Sequence, residues 1–357
     1  MEKMDYIFVA CAFFMSLLIS FISTPLAKRF AYKIGAIDVP KDKRRMHKTP
    51  IPRLGGIAIF VGFFLTVLVL CTQSMTREIR GMLFGAIVIV ALGIFDDVLA
   101  LKPSQKFGFQ LVATALPVYF GVRITSLPNI FGGTDAYIQL GVVAQYFVTI
   151  IWLLCILNAV NLIDGLDGLA VGVSSIMALC AMIILILLAS PVVAIIAAAL
   201  AGACLGFLPY NFNPAKMFMG DTGSMFIGYI LAVTSVMGLF KAYAIIAFAI
   251  PFLIFGLPIF DMLFVAIRRM LNGRSPMSAD KTHLHHRLID LGFSQKQAVT
   301  IMYGIAAVLG LTAVLIAGEG FMRATVLVLI VFVIVIFCSL IMYKHKIHKE
   351  IKNDEKN

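Results

Sequence analysis

The chain has 357 residues, 61% of them hydrophobic and only 13% charged, with a mean hydropathy of +1.00 and a formal net charge of +11. A soluble domain carries about 25% charged residues, so this composition excludes a soluble globular protein and predicts an all-α polytopic membrane protein. The positive balance does not point to nucleic acid. The basic residues fall between apolar runs, where they set orientation and meet anionic lipid headgroups.

Eleven apolar runs are legible, at roughly 6–26, 55–71, 81–96, 106–122, 141–160, 168–189, 191–208, 223–239, 243–266, 298–317 and 322–342; the number falls to ten if Ser190-Pro191 does not split 168–208. The leader before the first run carries Glu2, Lys3 and Asp5, and Lys28-Arg29 follows it, so a retained span is expected rather than a cleaved signal. If the loops alternate between two sides, one side holds 23 of the 29 Lys and Arg residues. The positive-inside rule makes that side cytoplasmic, with the N-terminus outside and a basic tail, 343–357, inside. Residues 1–357 read as a single integral membrane domain. Six cysteines lie in or at the ends of apolar runs without a C-x-x-C pair, and read as small hydrophobes.

The titratable chemistry gathers on the predicted cytoplasmic side. At the end of the third run stand Asp96 and Asp97. Adjacent helical residues point about 100° apart, so one faces a site while the other pairs with a base such as Lys102 or Lys106. Lys106 opens the fourth run and suits a phosphate as a point charge. The fifth run closes on Asn158, Asn161, Asp164 and Asp167, one polar group every third residue, a drifting stripe on a helix.

The segment 211–224, N-F-N-P-A-K-M-F-M-G-D-T-G-S, is polar between two apolar runs. It offers Asn211, an aromatic face in Phe218, and Asp221 at a helix start that can cap itself or cradle an anion. A carboxylate there suits Mg²⁺ with few protein ligands. In the loop 267–297, H-L-H-H-R supplies His283, His285, His286 and Arg287, donors for phosphate and sugar oxygens rather than a zinc set. His47 and Arg53 precede the second run as ligand contacts or as structural punctuation. Asp261, inside the ninth run, is either a site residue or a group that positions the next loop. CDP-alcohol phosphotransferases use D-G-x-x-A-R with further aspartates downstream; here Ala170 is followed by Val171 and a long apolar run without acids.

Taken together and in this order, D-D, N-x-x-N-x-x-D-G-x-D-G-L-A, N-F-N-P-A-K-x-F-M-G-D-T-G-S and H-x-H-H-R resemble the polyprenyl-phosphate N-acetylhexosamine-1-phosphate transferases over about residues 35–300. The nearest likeness is to bacterial enzymes that use undecaprenyl phosphate. The resemblance implies a cell-membrane transferase joining UDP-GlcNAc to undecaprenyl phosphate with Mg²⁺ (Mn²⁺ as a substitute), at the start of a wall teichoic acid or O-antigen type of polymer. Membrane lipids are then partners, nucleic acid is not, and a homodimer is compatible. By motif, Asp221 and Asn161 match metal ligands, and Asp96, Asp97 and Asp164 catalytic carboxylates. Lys106 matches a diphosphate contact. Asp167, Phe218 and Asn211 match a uridine pocket, with Asn158 and His47 beside the substrates and His283, His285, His286 and Arg287 in the phosphate and sugar loop. The resemblance also implies a short hairpin within 123–140. The rival donor is a phospho-MurNAc-pentapeptide; those relatives usually read P-x-H-H-H where this chain has H-L-H-H-R. A secondary transporter or lipid flippase would need ionisable groups at mid-membrane, where only Asp261 comes near.

Overall fold

The computed structural model describes residues 3–39, 50–129, 137–241, 249–273 and 283–318. His47, the run at 322–342 and the tail 343–357 lie outside the described residues. Within them the fold is helical: α1 (Lys3–Ile34), α2 (Gly56–Leu70), α3 (Arg77–Leu99), α4 (Pro103–Tyr119), α5 (Val142–Leu162), α6 (Leu169–Leu187), α7 (Pro191–Asn211), α8 (Gly220–Met237), α9 (Ala249–Ile254), α10 (Gly256–Leu271), α11 (Leu284–Asp290) and α12 (Gln295–Ala317). Six of these, α1, α3, α5, α6, α7 and α12, are long and apolar enough to cross a membrane, and α2 is a shorter apolar helix. The chain is a multi-pass membrane protein.

Chain chemistry explains the breaks. Pro191 opens α7 at the position where a missing N–H costs nothing, and Ala189 turns the chain with φ 50°, so 168–208 is two helices. The run predicted as one span at 243–266 is instead two described helices, α9 and α10. Pro258 has no N–H to offer the carbonyl of Ile254, the residue at which α9 ends. At the other extreme, α1 runs on past the predicted end at 26 through Lys28, Arg29 and Lys33.

Helix α8 is the hub. Every residue from Thr222 to Met237 is buried, and α2, α3, α5, α6 and α7 pack around it. In lipid, helices approach through small residues. Gly202 and Gly206 on α7, one turn apart, let the α1 backbone in so closely that a Cβ would lie 2.1 Å from the Phe13 carbonyl oxygen and 2.3 Å from that of Leu17.

Two small antiparallel ladders complete the fold. Strands β1 (Ile37–Asp38) and β2 (Ile51–Pro52) pair beside the start of α2, and sequence reading does not anticipate them. Strands β3 (Ser126–Pro128) and β4 (Tyr137–Gln139) pair in the register Leu127 to Ile138, the hairpin expected within 123–140.

Candidate active site

Four chain segments meet at one end of the bundle: the end of α3, the start of α4, the end of α5 with its turn 163–168, and the start of α8. At their centre Lys106 Nζ lies 2.6 Å from Asp221 Oδ1, 3.0 Å from Asp96 Oδ2 and 3.4 Å from Asn161 Oδ1. Asn161 donates through Nδ2 to Asp221 Oδ1 at 2.6 Å and to Ser224 Oγ at 2.7 Å. Groups from α3, α4, α5 and α8, distant in the chain, thus share one network.

The adjacent aspartates divide their work, as their helical spacing requires. Asp96 accepts from the Leu101 backbone N–H at 2.9 Å and pairs with Lys106. Asp97 turns to α8 and accepts from the backbone N–H groups of Asp221 and Thr222, both at 3.0 Å, and from Thr222 Oγ1 at 2.7 Å. The anion seated on the first turn of α8 is therefore a side chain of the protein itself. One helical turn into the bundle, Gln110 and Asn158 pair amide to amide at 3.1 and 3.2 Å, and Asn158 also donates to the Leu154 carbonyl.

The turn after α5 carries Asp164, whose carboxylate has no hydrogen bond or ion pair among the described residues. Burial raises its pKa to about 8, with the nearby charges of Asp221 and Asp97 adding to the effect and Arg53 opposing it. Arg53 itself pairs with Asp38 at 3.0 Å. Asp167 faces the other way and braces the 212–219 segment, accepting from Asn213 Nδ2 at 2.9 Å and the Ala215 N–H at 3.0 Å. Asn211 is buried as a strut, accepting from the Gly168 N–H at 3.1 Å and donating to the Met217 carbonyl at 3.0 Å. Phe218 is half-buried, and its backbone ties 217–219 to the approach of α2: it donates to the Pro52 carbonyl at 2.8 Å and accepts from the Gly55 N–H at 2.9 Å.

The H-L-H-H-R segment is held on α10. His283 Nδ1 lies 2.8 Å from Asp261 Oδ2, and the Leu284 N–H donates to Asp261 Oδ1 at 2.7 Å. Arg287 stacks its guanidinium 4.4 Å from the Phe264 ring centroid, one turn along the same helix. Of the two roles open to Asp261, the geometry is that of a group positioning this loop. His285 is buried, its Nδ1 has no hydrogen-bond partner among the described residues, and its ring lies on the bare face of Gly165, where a Cβ would sit 2.2 Å from Nε2. Burial, then the neighbouring His286, lower its pKa to about 4, so it is a neutral imidazole at physiological pH. The His286 ring is tilted 45° to it with centroids 4.3 Å apart, and the His283 ring stacks on it at 5.7 Å.

Asp96, Asp97, Lys106, Asn158, Asn161, Asp164 and Asp221 thus gather around one centre. His285 borders it across Gly165, while His283 and Arg287 are turned to Asp261 and Phe264 of α10, and Asp167 and Asn211 support the loop that carries Phe218. Sequence reading misses Asn213, Gln295 and Tyr303. Gln295 Oε1 accepts from Asn213 at 2.9 Å and the Tyr303 hydroxyl donates to the Gly168 carbonyl at 2.5 Å. Both partners come from α12, and no local pattern announces them. Asn213 lies inside the polar segment and was legible by type alone.

The donor set is one of hard oxygens. Asp96 and Asp221 flank the Lys106 ammonium, and Asp164 lies near enough to Asp221, Asp97 and Asp167 to feel their charge. No group of three His, Cys, Asp or Glu close enough for a fully protein-built metal site occurs among the described residues. Such a surplus of carboxylate suits a divalent ion held by one or two protein oxygens together with the oxygens of a ligand.

A family model described as "Glycosyl transferase family 4" matches residues 79–239. The chain is 40% identical over 336 residues to a probable undecaprenyl-phosphate N-acetylglucosaminyl 1-phosphate transferase of Bacillus subtilis, covering 93% of this chain and 91% of that one. It is 30% identical to the undecaprenyl-phosphate alpha-N-acetylglucosaminyl 1-phosphate transferase of Salmonella typhi, over 81% and 79% of the two chains. It is also 30% identical to a phospho-N-acetylmuramoyl-pentapeptide-transferase of Clostridium beijerinckii, over 83% and 92%.

Proposed function

The chain belongs to glycosyl transferase family 4, and from that premise we propose that it transfers GlcNAc-1-phosphate from UDP-GlcNAc to undecaprenyl phosphate, giving undecaprenyl-diphospho-GlcNAc and UMP. The observation that carries this reading is the Lys106, Asp221, Asn161 and Asp96 network, a charged centre built at helix ends beside lipid-facing surfaces. A lipid phosphate is fixed at the headgroup plane and a sugar nucleotide arrives from water, so their meeting point is the end of the bundle, not its middle.

The chemistry follows from charge. A phosphate monoester has its second pKa near about 6, so the lipid phosphate is already largely a dianion at neutral pH. An oxygen of that dianion attacks the β-phosphorus of the donor, a P–O bond forms, the bond to the bridging oxygen breaks, and the pair of electrons leaves with UMP. No proton has to be removed from the nucleophile. What the protein supplies is alignment and neutralisation of developing negative charge. Lys106 provides a fixed cation for that purpose. Mg²⁺, with Mn²⁺ as a substitute, fits the oxygen donors: Asp221 and Asn161 would hold it, and it would neutralise the diphosphate. The turn 163–168 and the half-buried Phe218 border the centre where a nucleotide would lie, with His285 and His286 as donors toward phosphate and sugar.

The donor reading rests on H-L-H-H-R and on the higher identity to the GlcNAc-phosphate relative, 40% against 30% for the pentapeptide one. The test is a direct assay. Purified protein with undecaprenyl phosphate, Mg²⁺ and labelled UDP-GlcNAc is expected to yield UMP and a labelled lipid, and UDP-MurNAc-pentapeptide is not. Asp221→Ala is expected to lose about 10²-fold or more in turnover, the scale of a lost charge-stabilising group. Near-normal turnover in that variant would overturn the metal assignment.

A further inference from the structure

We infer that Asp97 is a positioning residue: its carboxylate caps α8 from the neighbouring helix α3 and so aims Asp221 at the reaction centre. The first N–H groups of a helix have no acceptor within it, and α8 supplies none, since Met219 stands at its N-cap with no side-chain hydrogen bond. The cap comes instead from across the interface, through the three bonds from Asp221 N–H, Thr222 N–H and Thr222 Oγ1 to Asp97.

The surrounding backbone is shaped for this contact. Gly220 adopts φ +69°, and a Cβ there would lie 2.4 Å from Asp97 Oδ2. Gly93, one turn before Asp97, lets α3 approach until a Cβ would sit 2.3 Å from the Thr222 Cα. Both carboxylate oxygens of Asp97 point into this joint, whereas the network around Lys106 is reached by Asp96. Asp97 therefore acts through Asp221, whose backbone N–H it holds while Asp221 Oδ1 faces Lys106 and Asn161. A removed proton is not part of this role.

The turnover arm of the test rests on the proposed transferase reading; the structural arm does not. Full-length protein in detergent is compared as wild type, Asp97→Ala, Asp97→Asn, Thr222→Val and Thr222→Ser. Hydrogen exchange is followed in peptides spanning 219–224, together with turnover, its pH profile and the Mg²⁺ concentration for half-maximal rate. Asp97→Ala and Thr222→Val are expected to lose protection at the first turn of α8 and to need more Mg²⁺. Turnover is expected to fall about 10²-fold and about tenfold respectively, the scale of small misplacements in a reacting site. Thr222→Ser is expected to restore both, and the residual activity of Asp97→Asn keeps the wild-type pH profile. If Asp97→Ala does not fold, Thr222→Val and Asp97→Asn carry the test. Unchanged exchange combined with loss of a limb of the pH profile in Asp97→Asn would overturn the inference, as would a Thr222→Val protein indistinguishable from wild type. A wild type that makes no UMP would sink the transferase reading, and the exchange data would still decide the cap.

Discussion

Lys106 is the residue on which the centre balances, because its one ammonium serves Asp96 and Asp221 together. Removing one partner of a fully buried pair costs about 3–5 kcal/mol. Here the Asp221 side chain keeps 33% of its exposure, so Lys106→Met is expected to cost about 2 kcal/mol. It should show as a lower Tm in detergent that added Mg²⁺ partly restores, alongside a turnover loss that Mg²⁺ does not repair. Lys106→Arg should not substitute, since a planar fork cannot fill the place of a point charge among three close oxygens. Two further residues make stability depend on pH with opposite signs. His285 is held neutral, with a folded pKa of about 4 against an ordinary 6.5. Its contribution is fully present above 6.5 and is lost as pH falls from there through 4. Asp164 is held protonated, with a folded pKa of about 8 against 3.8; its contribution is fully present below 3.8 and is lost as pH rises through 8. Thermal unfolding across pH should therefore show His285→Asn losing ground to wild type as pH rises from 4 to 6.5, and Asp164→Asn gaining ground as pH rises from about 4 to 8. Parallel curves for wild type and either variant would contradict the assignment for that residue.

At the scale of elements, the site depends on helices that touch backbone to backbone. Gly56 on α2 and Gly93 on α3 both abut the first turn of α8: an added Cβ would lie 2.1 Å from the Gly223 nitrogen in one case and 2.3 Å from the Thr222 Cα in the other. These obstacles are backbone atoms of the most buried helix and cannot swing aside. Gly93→Ala is expected to push the α8 start away from α3, lowering Tm and cutting turnover by about 10²-fold. Gly108 on α4 is exposed with nothing within 4 Å of an added Cβ, so Gly108→Ala should leave turnover unchanged and stability equal or raised by up to about 1 kcal/mol. Equal behaviour of the two variants would show that close packing at the α3 and α8 crossing is not what holds the site. This scale also marks what was legible in the sequence. Runs of apolar residues announce α1 to α8 because period and length alone define a span. The break between α9 and α10 was not read from Pro258, although its missing N–H is visible in the sequence. The pairing of β1 with β2 has too few residues to leave a pattern. Polar residues at the ends of runs announced the centre by type, but not which oxygen faces which partner. Asp96 and Asp97 look alike in sequence and differ only through the helix each meets, and Asp167 and Asn211 have their polar atoms taken up by the 212–219 segment and the start of α6.

At the scale of the molecule, function depends on sidedness. The alternating loop assignment places the D-D, N-x-x-N-x-x-D and G-D-T-G segments on one face, and the fold brings them to one end of the bundle within hydrogen-bonding distance. The β3 and β4 hairpin follows α4, whose other end carries Lys106, and it therefore lies at the opposite end. In that loop assignment 23 of the 29 Lys and Arg residues fall in the loops that carry these segments, so the positive-inside rule predicts that the centre faces the cytoplasm. That assignment has a functional stake, because a sugar nucleotide reaches the centre only from the compartment that makes it. Two exposed positions report the two ends: Lys216 in the segment before α8, and Gln139 on β4. In a background with the native cysteines replaced, Gln139→Cys is expected to react with a membrane-impermeant thiol reagent added to intact cells, and Lys216→Cys only after the membrane is opened. UDP-GlcNAc should slow the Lys216→Cys reaction in opened membranes, because the 212–219 segment borders the centre. Labelling of Lys216→Cys from outside intact cells would reverse the orientation and leave the centre facing away from its donor. Labelling of both from one side would mean that the two ends of the bundle do not lie on opposite sides of the membrane.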